Sequence, residues 1–343
     1  MAYCCPACGG LFDEQQPLTW REPDKARVGV WRYLRPYGDL STGVTLGEGS
    51  TALLPAHVAG RIVYLKCEYS NPTGSFKDRG SAVLVSFLLA RGVKEAVEDS
   101  SGNAGASFSA YAARAGIRAK VFAPEGASGL KRSQIESYGA ELVAVAGPRM
   151  AASQAVLKAA DEGAVYASHA YLPHNLAGYA TCAYEIFEQL GAAPGAVILP
   201  AGQGGLLLGL GRGFIALRDA GLVDKLPGLI GVQAAACAPL AALFEVGRVG
   251  LDLVTEGPTL AEGVRVRTPL RADAVLRLVG LTGGRILAVA ETEILRGRDA
   301  LAELGFYVEP TSALVWRAIE ETLPELREPV VAILTGSGYK AAV

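Results

Sequence analysis

The chain has 343 residues, half of them hydrophobic and 19% charged, a balance that excludes disordered and fibrous classes and leaves room for two packed cores. Its 32 basic and 34 acidic side chains nearly cancel, so neither nucleic acid nor a membrane surface is expected as a partner, and a small molecule is. The six cysteines are few and scattered, which argues against a disulfide framework.

The opening MAYCCPACGG lacks the basic and apolar segments of a signal peptide, and no apolar run reaches spanning length, so a cytoplasmic protein is expected. Cys5 and Cys8 form a C-x-x-C pair like one knuckle of a zinc ribbon, but the second knuckle is missing. A degenerate knuckle with no metal is the expectation. Residues 1–45, irregular and rich in Pro, Arg and aromatics, predict an extended arm over the globular body.

From there short β-branched runs alternate with Ala- and Leu-rich segments. RIVYLKCEY, AKVFAP, ELVAVAG, AVILPAG, LIGVQA, RILAVA and VVAILTG predict strands, and helices are predicted to begin near Ser75, Asn103, Gly129, Met150, Asn175, Gly205, Glu291 and Ser312. This rhythm predicts an α/β fold of two open, mostly parallel twisted sheets flanked by helices. The expected division is an N-terminal α/β domain over 46–170, with a mobile core at about 80–165, and a C-terminal α/β domain over 171–343.

Three glycine clusters, SSGNAGAS (100–107), PAGQGGLLLG (200–209) and LTGSGYK (334–340), each follow a strand-like run, the place where ligands bind in open parallel sheets. The first two also open helices, whose initial N–H groups are unpaired donors with partial positive charge. AGQGGLLLG lacks the Lys-Ser/Thr ending of a nucleotide P-loop, and no acidic ribose partner follows at the right distance. A cofactor bearing one phosphate is favoured, against the plainer reading of glycines chosen for helix packing.

In NPTGSFKDRG (71–80), Lys77 falls at a predicted helix start beside Phe76. The helix dipole and apolar neighbours both disfavour its ammonium, which raises the fraction of nucleophilic amine. An isolated lysine there would more simply snorkel to solvent or pair with Asp78.

NPTGSFKDRG, SSGNAGAS, PAGQGG and LTGSG, in that order, resemble the fold type II family of pyridoxal-phosphate enzymes, and LGEGSTALLP (46–55), EIFEQLG (185–191) and VEPTSA (308–313) are similar to segments of its threonine synthases. The resemblance runs from about Trp31 to the C-terminus and implies pyridoxal 5'-phosphate as cofactor. Carried over residue by residue, it makes Lys77 the Schiff-base lysine and proton shuttle, with Phe76 beside it. It places Asn103 at the cofactor's phenolic oxygen, the backbone of Gly202, Gln203, Gly204, Gly205 and Leu206 at the phosphate, and Thr335 at the pyridine nitrogen. Ser100, Ser101, Gly102, Ala104 and Gly105 would cradle the carboxylate of an amino-acid substrate. With Lys77 moving protons, His57, His169 and His174 are all expected to be structural.

The implied reaction is that of threonine synthase, O-phosphohomoserine and water to threonine and phosphate. Many members read Ser-Thr-Gly-Asn-Thr where this chain reads Ser100-Ser101-Gly102-Asn103-Ala104, one hydroxyl shortened and another lost. A serine/threonine ammonia-lyase, or another β-eliminating or replacing enzyme, is therefore the alternative. Arg265, Arg267, Lys131 and Arg132 are the cations available for a second anion. Relatives in the family imply a homodimer.

Overall fold

The computed structural model describes residues 1–36, 43–125 and 129–341. The larger sheet has the order β1-β2-β9-β6-β7-β8, formed by Leu53–Val58 (β1), Arg61–Lys66 (β2), Ala196–Pro200 (β6), Gly228–Ala234 (β7), Arg285–Val289 (β8) and Val330–Ile333 (β9). Only β1 runs antiparallel to its neighbour, across the two-residue turn at Ala59 and Gly60, both with positive φ. The remaining pairs are parallel. AVILP of β6 is buried at every residue because it lies inside the sheet with helices on both faces.

The smaller sheet holds Glu95–Glu98 (β3), Arg118–Pro124 (β4) and Glu141–Val145 (β5), all parallel. It falls wholly between β2 and β6 in the chain, so β1 and β2 belong to the larger sheet although they precede the smaller one. The helices are Lys77–Ala90 (α1), Asn103–Ala115 (α2), Leu130–Ser137 (α3), Arg149–Asp161 (α4), His174–Leu190 (α5), Gly205–Asp219 (α6), Pro239–Val246 (α7), Ala272–Leu281 (α8), Glu291–Glu303 (α9) and Pro310–Thr322 (α10). The sequence reading anticipates seven of these strands and eight of these helices; β1, β3, α7 and α8 are additional to it.

Helices α5 and α6 pack closely enough that a Cβ on Gly209 would lie 2.4 Å from Tyr179 Cβ, and one on Gly213 would lie 2.6 Å from Ala180 O. Glycines within α6 thus serve helix packing, separately from those in the loop before it.

The N-terminal arm lies across its own chain. Tyr3 packs edge-on to Tyr171 at 5.1 Å, Asp13 forms an ion pair with Arg212 at 2.6 Å, and Trp20 stands edge-on to Tyr184 at 5.0 Å. Residues 37–42 of the predicted arm are outside the described set. Cys5 and Gly10 close a small backbone loop, with Gly9 N donating to Cys5 O at 2.8 Å and Gly10 N to Cys8 Sγ at 3.4 Å. Among the described residues no three His, Cys, Asp or Glu side chains are grouped to hold a metal ion, and no helix is long and apolar enough to cross a membrane.

A buried ionic network ties the larger sheet to α1 and α5. Arg79 meets Glu68 at 2.7 Å and Glu185 at 2.7 Å, and Lys66 meets Glu185 at 2.8 Å. Two cations against two carboxylates leave the group neutral, which allows it to be buried.

Candidate active site

Lys77 is the first residue of α1, half-buried, with its ammonium 5.0 Å from the Phe76 ring centre. Burial pushes its pKa down to about 8, against the opposing pull of Glu98 and Glu309. The turn before it is fixed by Asp78, which accepts from Thr73 N at 2.7 Å, Thr73 Oγ1 at 2.6 Å and Ser107 Oγ at 2.6 Å. Burial lifts Asp78 to about 6 despite these bonds.

Thr335 follows β9, and its carbonyl accepts from Phe76 N at 3.0 Å, so LTGSG lies directly against the lysine turn. Ser337 N donates to Gly74 O at 3.0 Å and Lys340 Nζ to Thr73 O at 2.7 Å, which clasp the two segments together. The Thr335 hydroxyl is buried and 3.0 Å from Ser312 Oγ.

The loop after β6 turns into α6 at Gly204, where φ is +78° and a Cβ would fall 2.4 Å from Val275 Cγ2. Only glycine suits that position. Among the described residues the N–H groups of Gly202, Gln203, Gly204, Gly205 and Leu206 find no acceptor, leaving a set of backbone donors at the head of a helix. The Gln203 side chain is engaged elsewhere, accepting from Leu270 N at 3.0 Å. Tyr179 bridges this loop to the lysine: its ring is 5.2 Å from that of Phe76 and would be 3.4 Å from a Cβ on Gly205.

The serine loop follows β3 and starts α2. A Cβ on Gly105 would sit 1.7 Å from Ser100 O, so the loop folds tightly back on the helix. Ser100 N is taken by Glu98 and Gly102 N by Ser100 Oγ at 3.2 Å. The N–H groups of Ser101, Asn103, Ala104 and Gly105 find no acceptor among the described residues. Asn103 Nδ2 donates to both oxygens of Glu309, at 2.9 and 3.1 Å, while its Oδ1 is buried without a partner. Lys131 also meets Glu309, at 3.1 Å.

The structure therefore joins Phe76, and through it the neighbouring Lys77, to Thr335, and links Phe76 through Tyr179 to the loop 202–206. Asn103 reaches the same region by way of Glu309, whose N–H donates to Gly336 O at 3.0 Å. The serine loop and the loop 202–206 share no hydrogen bond among the described residues. Sequence reasoning missed Glu98, Glu309, Ser312 and Lys340 as members of the site. The available signal was their position, Glu98 just before SSGNAGAS and Glu309 within VEPTSA.

The donor set fits a phosphorylated pyridine aldehyde. Five N–H groups without an acceptor among the described residues suit its phosphate, the Asn103 amide already donates to an anionic oxygen, and the Lys77 amine, lowered by burial, lies beside Phe76. The family model for "Pyridoxal-phosphate dependent enzyme" matches residues 44–336, and the chain belongs to that family. It is a pyridoxal-phosphate enzyme of fold type II.

Its relatives include threonine synthases of Methanocaldococcus jannaschii, 34% identical over 98% of this chain and 88% of that one, and of Mycobacterium tuberculosis, 34% identical over 94% and 91%. The solved structure of a threonine deaminase from T.th. is similar at a TM-score of 0.71, with 28% identity over 85% of this chain and 94% of that chain. Maize serine racemase shares the fold at a TM-score of 0.73, with 22% identity over 84% and 88%.

Proposed function

We propose that the chain is a carbon–oxygen lyase of the threonine synthase kind, converting O-phosphohomoserine and water into threonine and phosphate by elimination and water addition. The observation that carries the reading is Lys77, a half-buried amine brought down to about 8 at the head of α1, beside the Thr335 loop and bridged by Tyr179 to five unpaired N–H groups. The names of relatives at 34% identity support the particular reaction.

When bound, pyridoxal phosphate supplies an aldehyde for amines and a ring that draws electrons. Lys77 would hold that aldehyde and, as a free amine, would carry a proton at the substrate's α-carbon. Gly202 to Leu206 would hold the cofactor phosphate through their N–H groups, with the positive end of α6 behind them. Asn103 would orient the ring by its amide. The hydroxyl of Thr335 would serve the ring nitrogen and, unlike a carboxylate, would not hold a proton on it. Ser101, Ala104 and Gly105 present N–H groups to the substrate carboxylate, and Ser100 and Gly102 shape the loop that aims them. The enzyme acts as a cytoplasmic homodimer, with the smaller sheet and its helices, at about 80–165, moving against the rest.

A second reading, a serine/threonine ammonia-lyase, is favoured by one observation. Cations near the serine loop are already engaged, Lys131 by Glu309 at 3.1 Å and Arg149 by Asp99 at 3.2 Å, and Ala104 offers no hydroxyl. A substrate phosphate would have to compete for them. Phosphate release from O-phosphohomoserine, measured beside 2-oxo acid release from serine and threonine, decides between the two. Turnover of none of these by cofactor-loaded protein would reject both.

A further inference from the structure

The end of β3 carries a pair of side chains that the roles above leave unused. Glu98 is 1% exposed, its Oε1 lies 2.6 Å from His169 Nδ1, and its Oε2 accepts from Ser100 N. His169 is delivered there by the backbone. Val97 N donates to Val165 O at 2.8 Å and Ala167 N to Val97 O at 2.8 Å, so residues 165–167 run alongside β3 to the sheet end where ligands bind. Ser168 Oγ then accepts from Ala170 N at 3.3 Å and Tyr171 N at 3.2 Å, shaping the turn that carries the imidazole.

A carboxylate fixed beside one ring nitrogen sets the ring's rotation and its tautomer. With Nδ1 committed to Glu98, Nε2 is the ring nitrogen left to meet another partner. The pair borders the candidate site, because Glu98 holds the first residue of the serine loop through Ser100 N. The other titrating and charged groups around it are Lys77 on α1, Tyr179 on α5, Tyr166 beside β3, Asp99 with Arg149 of α4, and Glu309 before α10. His169 keeps 18% of its side chain exposed, so proton exchange with water is open to it.

We infer that His169, oriented by Glu98, is the acid–base residue for the oxygen that leaves the substrate's side chain. The inference rests on the elimination proposed above and holds for either substrate reading. The proton on Nε2 passes to that oxygen as the carbon–oxygen bond breaks and both bonding electrons go with the oxygen. The group departs as phosphate or as water, and the ring recovers its proton from solvent. Lys77 and His169 then divide the work, one at the α-carbon and one at the leaving group.

His169→Asn tests this, since an amide keeps a donor near the place of Nδ1 and removes Nε2. The cofactor-loaded variant is compared with wild type on O-phosphohomoserine, serine and threonine, and on β-chloro-L-alanine, whose chloride leaves without a proton. Turnover of the oxygen substrate should fall about 10²- to 10⁴-fold, with β-chloroalanine turnover changed less than about threefold. Equal loss on both classes of substrate, or no loss on either, overturns the inference while leaving the elimination standing. Wild type inert on every oxygen substrate removes the proposed reaction and this inference together. A readout independent of turnover is the downfield proton signal of the His169 Nδ1–H, expected in the loaded wild type and shifted in Glu98→Gln. Its absence from wild type also overturns the assignment, even if His169→Asn fails to fold.

Discussion

Arg79→Met should unhinge the helix that carries Lys77. In the wild type the guanidinium donates from Nε to Glu68 Oε2 at 2.7 Å, from one terminal nitrogen to Thr181 Oγ1 and Glu185 Oε1 at 3.0 and 2.8 Å, and from the other to Glu68 Oε1 and Glu185 Oε2, both at 2.7 Å. Without it, Glu68 retains only Thr51 Oγ1 at 2.6 Å and Asn71 Nδ2 at 3.1 Å, and Glu185 retains Lys66 at 2.8 Å and Ser50 N at 2.8 Å. Two buried carboxylates then face one ammonium, and such an uncompensated charge costs about 3–5 kcal/mol. Urea denaturation of the cofactor-free protein should show a loss of that size. Arg79→Met with Glu68→Gln, which removes the surplus charge, should recover most of it.

The acid limb gives a second check on the same network. Burial alone would raise Glu185, but Arg79 and Lys66 outweigh it and hold the carboxyl well below the usual range; Glu68 is lowered too, chiefly by Arg79 acting against burial. Carboxyls depressed in the folded state contribute stability that is present above their unfolded pKa of about 4.3 and is lost as pH falls below it. The wild type should lose stability steeply there, and Arg79→Met less so. A single variant within about 1 kcal/mol of wild type, or a double variant no better than the single, would refute the charge argument.

Two further expectations concern the cofactor. With Lys77 at about 8, roughly a quarter of it is free amine at about pH 7.5, against about one part in a thousand at the ordinary 10.5, so the rate of cofactor capture by apoprotein should rise with pH, reach half its maximum near 8 and level off above about 9. A rate still climbing at about pH 10 contradicts the lowered value. Gly204→Ala forces a side chain into a backbone with φ +78°, 2.4 Å from Val275, and should weaken pyridoxal phosphate binding at least about tenfold in a spectroscopic titration. Unchanged affinity would mean that the loop after β6 does not hold the phosphate.

The parts of the fold legible in the chain are those whose signal is local. AVILP is apolar at every position because β6 is covered on both faces, and Gly204 announces a turn that no other residue makes easily. β3 escapes such a reading because EAVE is four residues long with an acid at each end, and β1 because LLPAHV carries Pro55 and His57 on an exposed edge. Likewise Lys77, Asn103, Thr335 and the loop 202–206 sit in motifs, whereas the carboxylates around them are paired at long range. His169 lies 71 residues from Glu98, Glu309 lies 206 from Asn103, and Lys340 lies 267 from Thr73. Each pairing depends on which strand ends the sheets bring together, and spacing along the chain carries no trace of it.

Reduction of the pyridoxal-phosphate-loaded protein with borohydride, followed by peptide mass mapping, tests the central claim most directly. The label should fall on Lys77, and Lys77→Ala should lose both the label and the cofactor's visible absorbance. Lys340, also lowered by burial to about 8 and held against the same turn through Thr73 O, is the rival amine. A label on Lys340, or a visible band that survives in Lys77→Ala, would contradict the account.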